Sequence, residues 1–211
     1  MYLEQVNPYS ISKQHKRDKL HIVERIRLLF DPESFVEYYP EDKYTGYDGV
    51  ITGYGNIYGQ RVYFYGQDFT HMGGTFGYQH SQQIIAIIKE AIIQRKPIIG
   101  IYDGGGARIQ EGAASVAGCG ELFRMNTMAS GVIPQIAIIA GTCAGGAVYS
   151  PGLTDFVFTI DKISNLFVTG AKVINEVQGT DYLIEELGGA SIHSAVSGVA
   201  HFRMNTEREC Y

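Results

Sequence analysis

The chain has 211 residues, 45% of them hydrophobic and 18% charged, and a net charge of −5. This describes one substantial core and argues against a broad nucleic-acid footprint. Cys119, Cys143 and Cys210 form no C-x-x-C pair, which argues against a zinc ribbon or thioredoxin-type centre, and no apolar run is long enough for a membrane span. Residues 1–17 are polar and read as loosely held; His15-Lys16-Arg17 with Lys19 reads as a solvated helix face. Without a signal-peptide-like apolar stretch, and with unpaired cysteines, the chain is expected in the cytoplasm. Leu20, Val23, Ile26 and Leu29 recur at helical spacing over Lys19–Phe30, and Asp31-Pro32 ends that helix. Ser34–Tyr47 is aromatic, acidic and irregular. Gly49–Ile57 and Gln60–Tyr65, joined by Tyr58-Gly59, predict a β-hairpin, and Gln67–Gly77 a loop.

From His80 the pattern becomes regular. Ile84, Ile87, Ile88, Ala91 and Ile92 mark one face of a helix over His80–Arg95. Pro97–Tyr102 is a buried strand, Ala113–Met128 a helix, Ile133–Ala140 a strand and Ala144–Leu153 a short helix. Phe156–Ile160 and Leu166–Thr169 are further strands, and Ala171–Gln178 is a helix. Glu207–Tyr211 reads as the opening of another helix, so the chain is expected to stop inside an element. Strand, loop and helix in repetition predict a single-domain α/β core over 1–211 with mostly parallel strands.

Two glycine-rich loops follow the strongest strands. The first is Gly104-Gly105-Gly106-Ala107-Arg108; the second is Gly141-Thr142-Cys143-Ala144-Gly145-Gly146. In parallel sheets such loops gather at the carboxyl ends of the strands, where ligands bind. Glycine lets the backbone approach a ligand closely, and a helix starting there points unpaired N–H groups outward. Two such loops can converge on one oxygen as it gains negative charge, an oxyanion hole. The competing explanation is tight strand–helix packing with no ligand.

Several segments occur in a distinctive order: Arg25-Ile26-Arg27-Leu28-Leu29-Phe30-Asp31, Asp48-Gly49-Val50-Ile51-Thr52-Gly53, Gln67-Asp68-Phe69-Thr70, Gly105-Gly106-Ala107-Arg108-Ile109-Gln110-Glu111-Gly112, Ser130-Gly131-Val132-Ile133-Pro134-Gln135, Cys143-Ala144-Gly145-Gly146-Ala147-Val148-Tyr149-Ser150-Pro151 and Ser197-Gly198-Val199-Ala200-His201. From Lys19 onward the chain resembles the carboxyltransferase family of biotin-dependent acyl-CoA carboxylases and decarboxylases, most of all the propionyl-CoA carboxylase β-subunit type. Some positions depart from the pattern. Gly104 stands where the family usually has Ser, and Thr75-Phe76-Gly77-Tyr78 where it often has Ser-Leu-Gly-Glu. A Gln near 82 or 83 replaces a common lysine, and Ala171 replaces a proline.

The resemblance implies a crotonase-like spiral of ββα units and the first of two family domains, with the C-terminal carboxybiotin domain absent. It implies an enzyme component that moves a carboxyl group between carboxybiotin and the α-carbon of a short acyl-CoA, propionyl- or acetyl-CoA, through an enolate held by backbone N–H groups. Biotin would ride on a separate carrier. The implied partners are acyl-CoA, a C-terminal carboxyltransferase half or companion subunit, a biotin carboxyl carrier, a biotin carboxylase, and further copies of the chain in a trimer-based or hexameric oligomer. No metal, nucleic acid or membrane partner is implied. Gly145 and Gly146 are assigned as the oxyanion donors, with Gly105, Gly106, Ala107, Arg108 and Ala144 at the substrate. Arg108 has two readings: contact with a CoA phosphate, or pairing with Glu111 or Asp103. His193 and His201 read as structural, and Cys143, Tyr149 and Ser150 as packing residues. The alternatives are a decarboxylase α-subunit relative, a non-catalytic assembly or CoA-binding protein, and a stand-alone hydratase or hydrolase that would need Glu111.

Overall fold

The computed structural model describes residues 6–39 and 46–211, so residues 40–45 of the segment read as irregular lie outside the described residues. The chain opens on α1 (Pro8–His15), capped by the Asn7 side chain, and α2 (Ile22–Leu29). Of the segment read as loosely held over residues 1–17, residues 1–5 lie outside the described residues, and α1 forms a helix that buries Gln14. α2 starts later than its apolar spacing suggests because His21 caps it. His21 Nδ1 accepts the Val23 N–H at 3.3 Å, and Glu24 accepts the His21 N–H at 2.8 Å.

Then follow β1 (Val36–Glu37), β2 (Val50–Ile57) and β3 (Gln60–Gln67). β2 and β3 form the expected hairpin, with Ile57 opposite Gln60. Its two turn residues, Tyr58 (φ 49) and Gly59 (φ 75), both take positive φ, which matches the twist of the flanking strands. α3 (Tyr78–Gln94) buries Ala91 and the isoleucines Ile84, Ile87 and Ile88, each isoleucine worth roughly 1.5–3 kcal/mol. Arg95 ends it in the left-handed region, and Pro97 bars its continuation.

Next come β4 (Ile98–Gly104), α4 (Ala113–Ala129) and β5 (Gln135–Ala144). The short helix expected over Ala144–Leu153 is divided: a 3-10 turn over Gly145–Val148 leads into α5 (Tyr149–Gly152). After it come β6 (Phe156–Ile160), β7 (Asn165–Phe167), α6 (Ala171–Gln178), α7 (Ile184–Gly188), α8 (Ala190–Ala195), β8 (Phe202–Met204) and α9 (Glu207–Cys210).

The strands form one sheet in the order β1-β2-β3-β4-β5-β6-β8. The β1 and β2 pairings are antiparallel, and from β3 onward the neighbours are parallel. β5 has two partners on one side. Ile136–Ile139 pair with β6, and Thr142–Ala144 pair with β7. Apolar side chains cover both faces. On one, α3 and α4 pack Ile84, Ile88, Leu122 and Met125 over Tyr102 and Ile139. On the other, α2 packs Ile22, Val23 and Ile26 over Phe64, Ile101 and Ile138. Among the described residues no helix is long and apolar enough to cross a membrane.

Candidate functional site

β4 and β5 are parallel neighbours, so the glycine loops leave the same end of the sheet side by side. Gly106 (φ 94) presses on the second loop: a Cβ there would lie 2.7 Å from the Ala144 carbonyl oxygen. A third segment, Gly73–Phe76, backs the first loop. Gly105 N–H donates to Gly73 O at 3.1 Å, Phe76 N–H to Gly106 O at 2.9 Å and Arg108 N–H to Phe76 O at 2.8 Å. Gly104 and Gly74 meet so closely that a Cβ on either would collide with the other segment's backbone. Packing therefore accounts for much of the first loop, and the Gly105 N–H is already engaged.

The second loop differs. Gly145 (φ 60) needs glycine's freedom, and at both Gly145 and Gly146 a Cβ would project into open space. The N–H groups of residues opening a 3-10 turn have no acceptor within it. The assigned donors thus stand at an open surface, with Ala107 and Ala144 half-buried beside them.

Arg108 is almost wholly buried and already paired. One guanidinium nitrogen lies 2.6 Å from Asp48 and 2.8 Å from Glu111, and another donates to the Thr75 carbonyl at 3.0 Å. Two carboxylates already surround this cation, which favours the structural reading over contact with a CoA phosphate. The partners are Glu111 and Asp48; Asp103 is engaged elsewhere. The same carboxylates reach the start of α3, where Glu111 accepts the Tyr78 N–H at 2.7 Å and Asp48 the His80 N–H at 2.9 Å. Glu111 is therefore engaged as well, which counts against the hydratase alternative that requires it.

Beneath the second loop runs a buried chain of hydrogen bonds. Tyr65 and Tyr102 share one at 2.6 Å, Tyr102 and Ser150 one at 2.8 Å, and Ser150 donates to Asn126 at 2.9 Å. Burial raises the Tyr65 phenol to about 12, so it keeps its proton at neutral pH. Burial also pushes the Cys143 thiol up, which leaves it a packing residue rather than a nucleophile. His193 is bound at both nitrogens, to Ser197 at 2.9 Å and the Leu166 carbonyl at 2.8 Å, and His201 accepts the Val157 N–H at 3.1 Å. Beside the second loop lies an open cavity of about 680 Å³, walled by Phe123, Val148, Tyr149, Leu153, Leu166 and His193 among others, with no Asp, Glu, Lys or Arg in its lining. Among the described residues no group of acidic, His and Cys side chains is arranged for a metal ion.

Behind the loops is a buried ionic cluster, and Lys19, expected on a solvated helix face, belongs to it. Asp103, fully buried at the end of β4, receives Lys19 Nζ at 2.6 and 2.8 Å and Arg25 at 3.1 Å. Arg25 also donates to Glu207 at 2.7 Å and to the Ala140 carbonyl at 2.8 Å. Burial lowers the Lys19 ammonium despite its partner, because desolvation outweighs the pairing. One sequence signal was available: Arg25 lies three residues after Ile22 on the apolar face of α2, and Asp103 closes an apolar strand.

Comparison with known proteins agrees with this picture. The model of the family described as Carboxyl transferase domain matches residues 13–211. A putative propionyl-CoA carboxylase beta chain of Bacillus subtilis is 49% identical over 208 residues, 94% of this chain and 41% of that protein. Methylmalonyl-CoA decarboxylase subunit alpha of Veillonella parvula is 47% identical, over 95% of this chain and 42% of that protein. The crystal structure of transcarboxylase 12S, a hexamer with methylmalonyl-coenzyme A and methylmalonic acid bound, superposes with a TM-score of 0.90 at 42% identity, covering 96% of this chain and 42% of that one. The crotonase-like α/β fold is shared with such structures. The chain spans about two fifths of the length of these relatives.

Proposed function

Because the chain belongs to the carboxyl transferase domain family, we propose that it is the acyl-CoA-binding part of a biotin-dependent carboxyltransferase acting on a short acyl-CoA such as propionyl- or acetyl-CoA. The observation that carries this reading is the opening at Gly145 and Gly146, faced by Gly106 and Ala107. Loss of the α-proton from an acyl-CoA, which the ureido group of biotin would take once its carboxyl is released, leaves an enolate, and the two N–H groups hold its oxygen. One such donor is worth roughly 2.7–4 kcal/mol in the transition state. Gly105, Gly106, Ala107 and Ala144 form the wall along which the CoA arm runs.

Carboxybiotin supplies the carboxyl group in this chemistry. Its carboxylate would be held by the C-terminal half, since the cavity beside the second loop has no Lys or Arg in its lining; Phe123, Val148 and Tyr149 give that side apolar walls. Those apolar walls also exclude water from the enolate. Biotin arrives on a separate carrier. The remaining partners are a C-terminal carboxyltransferase half or companion subunit, a biotin carboxylase, and other copies in a trimer-based or hexameric assembly. The two-fifths span and the hexameric 12S relative support this. Free cysteines suit the reducing cytoplasm.

Isothermal titration with propionyl-CoA tests the reading. Saturable binding, weakened about tenfold in Gly146→Pro, is expected from the loss of one donor. A folded natural chain that does not bind would overturn it in favour of an assembly protein. The decarboxylase reading rests on the Veillonella relative; turnover of methylmalonyl-CoA without an acceptor acyl-CoA, in the assembled enzyme, would favour it.

A further inference from the structure

We propose that Arg25, Lys19 and Asp103 are positioning residues that fix the offset between the two glycine loops. The inference rests on the acyl-CoA reading above for its consequence, and on the β4–β5 ladder for its geometry. Tyr102 pairs with Ile139, but the next pair is Gly104 with Cys143. Between them Asp103 alone on β4 faces Ala140, Gly141 and Thr142 on β5. An unbroken ladder would place Gly104 opposite Gly141. The bulge carries the second loop two residues forward, and so sets Gly106 against Ala144 and Gly145.

The ionic cluster sits on this bulge. Arg25 bonds to both of its sides with one rigid guanidinium: one nitrogen reaches Asp103 at 3.1 Å, another the Ala140 carbonyl at 2.8 Å. The Asp103 carboxylate lies so close to Gly141 that a Cβ there would collide with it. Lys19 Nζ, 2.6 Å from Asp103, would be 2.8 Å from the same Cβ. Glu207 completes two cations and two anions. Asp103 is further tied through its N–H to Gln67 at 2.9 Å, and Gln67 donates to the Gly74 carbonyl at 2.9 Å. The cluster therefore holds all three segments of the site. Arg25 and Asp103 are wholly buried, so they act through backbone and not on a ligand. A regular ladder holds itself by its own hydrogen bonds. A bulge does not, and needs such a clamp to keep one geometry.

The test uses Asp103→Asn, which keeps shape without charge, Arg25→Lys, which keeps charge without the fork, and the milder Lys19→Met at the part-exposed edge of the cluster. Two readouts are made on variants that still unfold cooperatively in urea. The first is amide hydrogen exchange in the unliganded chain. Exchange at residues 104–107 and 141–147 is expected to quicken about tenfold or more, while Ile84–Ala91 of α3 is unchanged. The second is the infrared carbonyl band of bound propionyl-CoA carrying ¹³C in its thioester. Its shift on binding, set by the oxyanion donors, is expected to shrink in the variants. A merely stabilising cluster would lower the urea midpoint and leave both readouts as in the natural chain, and that result in any folded variant overturns the proposal. If the natural chain itself shifts no carbonyl band, the acyl-CoA reading fails, and loop exchange alone still decides whether the cluster sets the offset.

Discussion

Gly104 has no room for the serine that its family resemblance leads one to expect. A Cβ there collides with the Gly74 carbonyl and lies 3.0 Å from Gln67 Nε2. Those neighbours also bind each other, so neither retreats without losing a hydrogen bond. Gly104→Ser is expected to cost roughly 1–3 kcal/mol, the usual range for overpacking, read as a lower urea midpoint at unchanged slope. An unchanged midpoint would mean that the loops part readily. At this scale the sequence marked the two glycine loops and left Arg108 with two readings. Gly145 and Gly146 were legible because an apolar strand running into paired glycines leaves few other uses for them. The pairing of Arg108 with Glu111 was legible three residues away, but Asp48 stands sixty residues upstream and only folding brings the two to 2.6 Å. Arg25 stands in a quoted motif and Asp103 was named only as a possible partner of Arg108; their pairing across 78 residues leaves no local trace.

α3 was readable because its isoleucines recur at helical spacing, yet its start was not, since the caps come from outside it. Asp48 and Glu111 accept the N–H groups of its first turn. His80, in that turn, gives a pH signature. Burial holds its imidazole down at about 4, against about 6.5 for the free group. The folded value is depressed, so its contribution to stability is whole above about pH 6.5 and is lost as pH falls toward 4. Between pH 7 and pH 4 that loss is about 3 kcal/mol. Urea midpoints at the two pH values should therefore converge in His80→Gln relative to the natural chain; an equal acid sensitivity would mean that the folded chain protonates His80 freely. Other elements escaped the sequence for plainer reasons. α1 has too few apolar residues to show a period, since what it buries is Gln14, 3.4 Å from Asp103. β8 is three residues, too short for alternation to register, whereas β7, expected over Leu166–Thr169, begins one residue earlier, over Asn165–Phe167.

Over the whole molecule, the repeating strand, loop and helix were legible, because the central strands β4 and β5 are largely apolar runs that a parallel sheet buries on both faces. What was not legible is how the two ends of the chain close on the site. α9 returns to α2, and Glu207, almost fully buried, accepts Arg25 at 2.7 Å and the Leu20 N–H at 2.7 Å. Glu207 balances the cluster: without its charge, Lys19 and Arg25 share Asp103 alone and one positive charge stays buried. Removing one member of a buried pair typically costs 3–5 kcal/mol. Glu207→Gln can still accept the Leu20 N–H, so the expected loss is near the lower end, about 3 kcal/mol, by urea unfolding at neutral pH. A loss below about 1 kcal/mol, the scale of an exposed pair, would show that water reaches Arg25. In that case the contact between the first helices and the last one would be packing alone, and the loops would take their offset from Asp103 and Lys19 without help from the end of the chain.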